Sequence, residues 1–364
     1  MAVRPLGRSL RHGRHQRPVR RPELAGAEPP SGGAGPCRLA SSDRARSAAV
    51  RILVTGSSGF VGGALLEHLR ALGHDARGFT RGDHPHSLKG DLLDPASITA
   101  ALEGFQPEVI YNMAAETDLK GPPRNGYRAN TDGVTHLLDA VAVAPSVERV
   151  IWASSQLVCR PGAPAASDTD FDPVGGYGAS KAEGERRVRH TDGGGKTWAI
   201  VRSTTIWGPG MSEHYLGVLR LIRRGLYFHV GARPLRKSYS YIENLSAQLA
   251  TLATAPCAQV HGRVFYLADS EPIDLRVWTE GFAGAFGRRI PTLPTQVARL
   301  LALAGDMAAA VGLPAPLTTP RLKNMLTEYV YDTGPIEAVH GPTAISNAEG
   351  VRRTADWFAG ETTR

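Results

Sequence analysis

Tyr177 and Lys181, in the stretch YGASK, place a phenol and a primary amine four residues apart where the sequence reads as the start of a helix. Residues i and i+4 share a helix face, so both side chains can enter one pocket. With 10 Tyr and six Lys among 364 residues, such a pair is expected by chance well under once, and spacing alone leaves an exposed helical pair open as the alternative. A phenol is suited to exchanging a proton with a substrate oxygen once a neighbouring positive charge favours its ionised form.

The elements around this pair decide what it can act on. VRILVTGSSGFVGGALLEHLRALGHDARGFTR reads as a strand (Arg51 to Val54), a glycine turn, a helix (about Phe60 to Leu72) and a second apolar run. That is a β-α-β unit. Gly56, Gly59 and Gly62 lie between strand and helix, where bare backbone can approach a pyrophosphate at the helix N-terminus. Further on, SLKGDLLD, PEVIYNMAA, VERVIWASSQ and WAIVRSTTIWGPG read as strands, with PASITAALEG, YRANTDGVTHLLDAVA and the YGASK segment as helices between them. This alternation predicts an α/β fold: a Rossmann-type, doubly wound parallel sheet with ligands at the carboxyl ends of its strands. The glycine turn, Asp91, Ala114, Ala115, Ser155 and Thr205 then fall on one edge of the sheet. Residues 50–206 form the expected dinucleotide-binding domain, and 207–364 a smaller, mainly substrate-binding lobe with segments returning to the first domain.

Composition narrows the function. Lys and Arg total 42 against 34 Asp and Glu, a net charge of +8, but residues 1–49 hold ten Arg and three acids, so the remaining chain is nearly neutral. No nucleic-acid partner is expected from that body. The first 49 residues, dense in Arg, Pro and Gly, read as a disordered basic tail. A polyanion-binding arm, a transit peptide and an over-called gene start ahead of Val50 all fit it. No apolar run is long enough to span a membrane; the longest candidate, VARLLALAGDMAAAVGL, is interrupted by Asp306 and reads as an amphipathic helix, so no membrane partner is expected. Cys37, Cys159 and Cys257 are widely spaced and odd in number, which argues against a disulfide framework or zinc site and fits a reducing cytoplasm. The histidines, including His84 and His86, show no metal-ligand pattern, and no metal is expected.

Taken in order, TGSSGFVG, GDLLD, YNMAAETD, NTDGVTHLLDA, WASSQLV, YGASKAEGE, VRSTTIWGPG, YSYIEN and EGVRRTADWF resemble the extended short-chain dehydrogenase/reductases, the NAD-dependent epimerase/dehydratase family, from Val50 to about Trp357. The resemblance implies hydroxyl–ketone redox chemistry at a nicotinamide. Tyr177 would exchange the proton, Lys181 would support the phenolate and hold the nicotinamide ribose, and Ser155 would hydrogen-bond the same substrate oxygen. Gly56, Phe60 and Val61 would line the pyrophosphate, Asp91 and Leu92 would meet the adenine, and Ala114 and Ala115 would pass beneath the ribose, with Thr205 at the same edge. At the end of the second strand, Thr80 and Arg81 stand where NAD enzymes carry an acid. Arg81 suits a 2′-phosphate and tips the expectation toward NADP(H), although Asp83 could restore NAD.

For the substrate, the resemblance puts Lys237, beside Arg236, where sugar-nucleotide enzymes carry a diphosphate-gripping Arg. The leading expectation is a nucleotide-sugar epimerase or ketoreductase working as a homodimer on a small molecule. A hydroxysteroid- or dihydroflavonol-type dehydrogenase is the alternative, for which Arg236 and Lys237 would be irrelevant, and a non-catalytic dinucleotide-binding regulator is a third reading. Ser155 is followed by Gln156 and Leu157, not by the Asp–Glu pair of the family's sugar dehydratases, so dehydration is not expected.

Overall fold

Hydrophobic strands flanked by amphipathic helices assemble here into three layers. The computed structural model describes residues 49–118, 126–163, 165–211, 213–315 and 317–361, so the expectations for the basic tail fall almost wholly outside it. Strands β1 (Arg51–Thr55), β2 (Asp75–Thr80), β3 (Ser87–Lys89), β4 (Val109–Asn112), β5 (Arg149–Ser155) and β6 (Thr197–Ser203) join the later strand Arg263–Leu267 in one parallel sheet. Its order runs from Arg263–Leu267 through β6, β5, β4, β1 and β2 to β3. The order reverses beside β1, which makes the carboxyl ends of β1 and β4 the crevice where such folds bind ligands.

Helices α1 (Phe60–Ala71), α2 (Pro95–Phe105), α3 (Arg128–Val143) and α4 (Gly175–His190) supply the crossovers. Both faces of β1 are covered, Ile52 and Val54 facing one core cluster and Leu53 the other, as a central parallel strand requires. α2 starts where Asp94 accepts from Ala96 N at 3.1 Å with Pro95 next to it, and stops at Gln106, which takes the left-handed conformation.

One expected strand divides. WAIVRSTTIW forms β6 and then β7 (Thr205–Trp207), which leaves the main sheet to pair with Tyr239–Tyr241. The turn-out sits at Thr204, whose N donates to Leu267 O at 3.3 Å. Beyond β7, helix Ile242–Thr254 packs on α1 and the strand Arg263–Leu267 pairs with β6, so the C-terminal half contributes to the main sheet and its cover.

Candidate active site

The glycine turn after β1 closes against β2 and the segment that leaves β4. Gly56 has φ +68°, and a Cβ there would lie 2.7 Å from Ala114 Cα. A Cβ on Gly62 would meet Gly56 C at 2.8 Å. The turn is held by Gly56 N to Phe79 O and Gly59 N to Gly56 O, both 3.0 Å. Gly59 caps α1 without a side-chain hydrogen bond, and the first turn, starting with Phe60 and Val61, carries no acid. Backbone donors and the positive end of the helix dipole are therefore offered to an anion, so these residues fit the diphosphate of a dinucleotide.

At the tip of β2, Thr80 is buried and its hydroxyl lies 3.0 Å from that of Ser58. Arg81, which follows it, is exposed, while Asp83, two residues on, pairs with Lys89 at 3.4 Å. The Asp91 carboxylate accepts from Leu93 N at 2.9 Å and so shapes its own turn. Leu92 is a core residue packed near Gly133. Ala114 and Ala115 continue from β4, with Ala114 N donating to Thr55 Oγ1 at 3.0 Å. Thr55 in turn donates to Asn112 Oδ1 at 2.9 Å, tying the ends of β1 and β4 together.

Ser155 ends β5, and Tyr177 and Lys181 lie one turn apart on α4. The Ser155 side chain lies beside the Tyr177 phenol and favours its ionised form. It also accepts from Leu157 N at 3.1 Å, which starts the short turn Gln156–Val158. α4 approaches that turn closely because residue 178 is glycine; a Cβ there would collide with the Leu157 carbonyl. Burial pushes the Tyr177 phenol up to about 12, against the Ser155 side chain that lowers it. Burial pulls the Lys181 amine down to about 8, partly opposed by Glu185. Lys181 Nζ donates to Ala153 O at 2.9 Å.

The sequence reading overlooked two supports. Asn130 accepts from Glu116 N and donates to Glu116 O and to Ser180 Oγ, each at 2.9 Å. It thereby clamps the Ala114–Glu116 segment to the helix bearing Tyr177 and Lys181. Glu185, 2% exposed, receives two hydrogen bonds from Arg202, 1% exposed, at 2.9 and 2.8 Å, and one from Ser154. A signal was present in each case. Asn130 shares its face of α3 with Val134, Leu137 and Val141, and Glu185 lies on the buried face of α4 with Lys181 and Val188. A polar residue on an apolar face must find a buried partner.

The remaining candidates lie apart from this cluster. Thr205 is buried at the start of β7 and its hydroxyl bonds the Tyr329 phenol. Arg236 and Lys237 occupy a two-residue strand and point to opposite sides: Arg236 is exposed, Lys237 only 2% exposed. Lys237 Nζ donates to Asn324 O at 2.8 Å and sits 4.7 Å from the centre of the Tyr329 ring. Among the described residues no group of His, Cys, Asp and Glu could hold a metal ion.

A sequence profile of the NAD dependent epimerase/dehydratase family matches residues 52–267, more than half of the chain. The chain is similar to a 2-alkyl-3-oxoalkanoate reductase of Stenotrophomonas maltophilia, 26% identical over 334 residues, covering 84% of this chain and 98% of that protein. It is also similar to a 3 beta-hydroxysteroid dehydrogenase/Delta 5-->4-isomerase of Mycobacterium tuberculosis, 28% identical over 296 residues, 74% of this chain and 79% of the other. Among solved structures, the UDP-glucose 4-epimerase of Thermus thermophilus in complex with NAD superposes with a TM-score of 0.64 at 21% identity, over 85% of this chain and 99% of that one. The fold, the glycine cradle and the matched profile agree: the chain is an enzyme of the NAD-dependent epimerase/dehydratase family, of the extended short-chain dehydrogenase type.

Proposed function

We propose that the protein interconverts a ketone and a secondary alcohol on an apolar, lipid-like substrate, with NADP(H) as the preferred cofactor. The observation that carries the chemistry is the Ser155 hydroxyl at the end of β5 beside the Tyr177 phenol, with Lys181 one turn along the same helix. A bound reduced nicotinamide supplies hydride to the carbonyl carbon. Ser155 and Tyr177 orient the carbonyl oxygen, and Tyr177 delivers its phenolic proton to that oxygen as the C=O double bond becomes a C–O single bond. With its pKa pushed up to about 12, Tyr177 is protonated at neutral pH, the state a proton donor needs. Lys181, still mostly charged at pH 7, stabilises the phenolate left behind until solvent returns a proton.

Lys237 supports the apolar substrate. A diphosphate grip needs an accessible cation, yet this ammonium is enclosed between the Asn324 carbonyl and the Tyr329 ring, and Arg236 points the other way. The names of the reductase and hydroxysteroid relatives point the same way. The sugar-nucleotide reading rests on the likeness to UDP-glucose 4-epimerases, one a sequence relative 26% identical and two of them solved structures. For the cofactor, exposed Arg81 beside a Thr80 hydroxyl already engaged by Ser58 favours a 2′-phosphate over a free ribose hydroxyl.

The test is a substrate panel in which loss of reduced-nicotinamide absorbance is followed with NADPH and NADH. A long-chain 2-alkyl-3-oxoalkanoate and a 3-ketosteroid are compared with UDP-glucose, the last also assayed for epimerisation. Reduction of a lipid ketone is expected, with no change in UDP-glucose. Epimerisation of UDP-glucose with retained cofactor would replace this reading by the sugar one.

A further inference from the structure

We infer that the helix Thr295–Ala310 is a membrane-surface docking element that lays an aliphatic stripe on an anionic lipid bilayer. Half of the large hydrophobic residues exposed among the described residues fall between positions 297 and 313. Val297, Leu300, Leu303, Met307, Val311 and Leu313 are 42–72% exposed, while the opposite side of the helix is buried through Ala298 and Ala302. At about 100° per residue, Val297, Leu300, Leu301, Leu303, Ala304, Met307 and Val311 fall within an arc of about 160°. The usual arrangement is inverted here. Asp306, the acid that interrupts the apolar run, accepts from Thr319 N at 3.0 Å and from the Thr319 hydroxyl, whereas the aliphatic residues face out. The helix stands on a satellite core of Val230, Ala298, Ala302, Leu317 and Leu322, separate from the two main cores, and so presents a convex ridge.

Charge selects the partner. Between positions 288 and 325 the chain carries Arg288, Arg289, Arg299, Arg321 and Lys323 against the single acid Asp306. Arg299 borders the stripe, placed to keep its head in water while its stem lies along apolar surface. A second copy of the chain docked by the same face would bring these cations against their own duplicates, which opposes a two-fold contact. The stripe carries no hydroxyl or aromatic ring to fix the register of a protein partner. An anionic lipid surface satisfies both features, since it takes aliphatic side chains without a register and attracts the flanking cations. No helix among the described residues is long and apolar enough to cross a membrane, so the contact is peripheral. It would bring the enzyme to a surface on which apolar ketones concentrate.

The experiment is co-sedimentation of the full chain with vesicles of phosphatidylcholine containing phosphatidylglycerol, at low salt and at about 0.5 M salt, where binding by the basic tail is screened. Wild type is expected to stay vesicle-bound at high salt. Leu300→Gln/Leu303→Gln/Met307→Gln, all at exposed positions, is expected to lose about tenfold in partitioning there while keeping its melting temperature and dinucleotide affinity. Arg299→Glu/Lys323→Glu should weaken binding at low salt and leave the high-salt value unchanged. Equal partitioning of wild type and the triple variant, or no binding by wild type, overturns the inference. So does a wild-type dimer in solution that the triple variant converts to monomer, because the stripe would then be an interface between copies.

Discussion

At the scale of single residues, the site is defined by groups whose ordinary proton affinities burial has displaced. Lys237 illustrates the consequence for stability. Burial holds its folded pKa at about 8, below the ~10.4 of an unfolded lysine. Between those values the unfolded chain binds more protons, so this residue makes stability rise with pH across that window; its penalty is complete below pH 8 and gone above about 10.4. Lys237→Met should therefore raise Tm at pH 7 by about 1–2 °C, the effect of about 1 kcal/mol in a chain this long, and the gain should fade as the pH approaches 10. Thermal melts of both proteins across that range check it; a lower Tm at pH 7 would mean that the Asn324 and Tyr329 contacts outweigh desolvation. Arg81 carries the cofactor preference: Arg81→Ala should weaken NADPH binding by about tenfold, the loss of one charge-assisted contact, and barely alter NADH binding. Titration with both dinucleotides measures the ratio.

At the scale of elements, buried polar clamps fix the helices against the sheet edge. Asn130→Ala removes three hydrogen bonds and leaves the Glu116 N–H and C=O without that partner, at an expected cost of about 2–4 kcal/mol. Because the freed segment continues from Ala114 and Ala115, which are proposed to lie beneath the cofactor ribose, dinucleotide affinity should fall along with denaturant stability; a variant as stable as wild type would show that water replaces the amide. Glu185→Ala strands Arg202 in the core and should cost about 3–5 kcal/mol, read as a lower midpoint in urea. The bounds of β1 and α1 were readable to within a residue from apolar periodicity and glycine position, and so was the existence of the helix that carries YGASK, because local spacing sets them. The partners of these clamps were not, since a polar residue on a buried face shows that it needs a partner without naming it, and only the packing of α4 on α3 and β6 supplies Ser180 to Asn130 and Arg202 to Glu185. The split of the strand at Thr204 escaped for the same reason: it depends on a hydrogen bond to Leu267, 63 residues on.

At the scale of the whole molecule, the sheet order places the carboxyl ends of β1, β4 and β5, and with them the glycine turn, Ala114 and Ser155, on one edge of the sheet. The substrate side was less legible. A basic pair such as Arg236–Lys237 looks alike in sequence whether it grips a phosphate or straddles a strand, and only the burial of Lys237 under Tyr329 separates the two. The account as a whole stands on proton delivery by Tyr177, and the most direct measurement replaces that oxygen. Tyr177→Phe keeps the ring and its packing near Tyr127, 6.4 Å away, and should retain the wild-type Tm and dinucleotide affinity. Single-turnover oxidation of reduced nicotinamide by a ketone substrate should slow by about 10²-fold or more, the scale of a lost general acid. Near-normal turnover with intact binding would contradict the account.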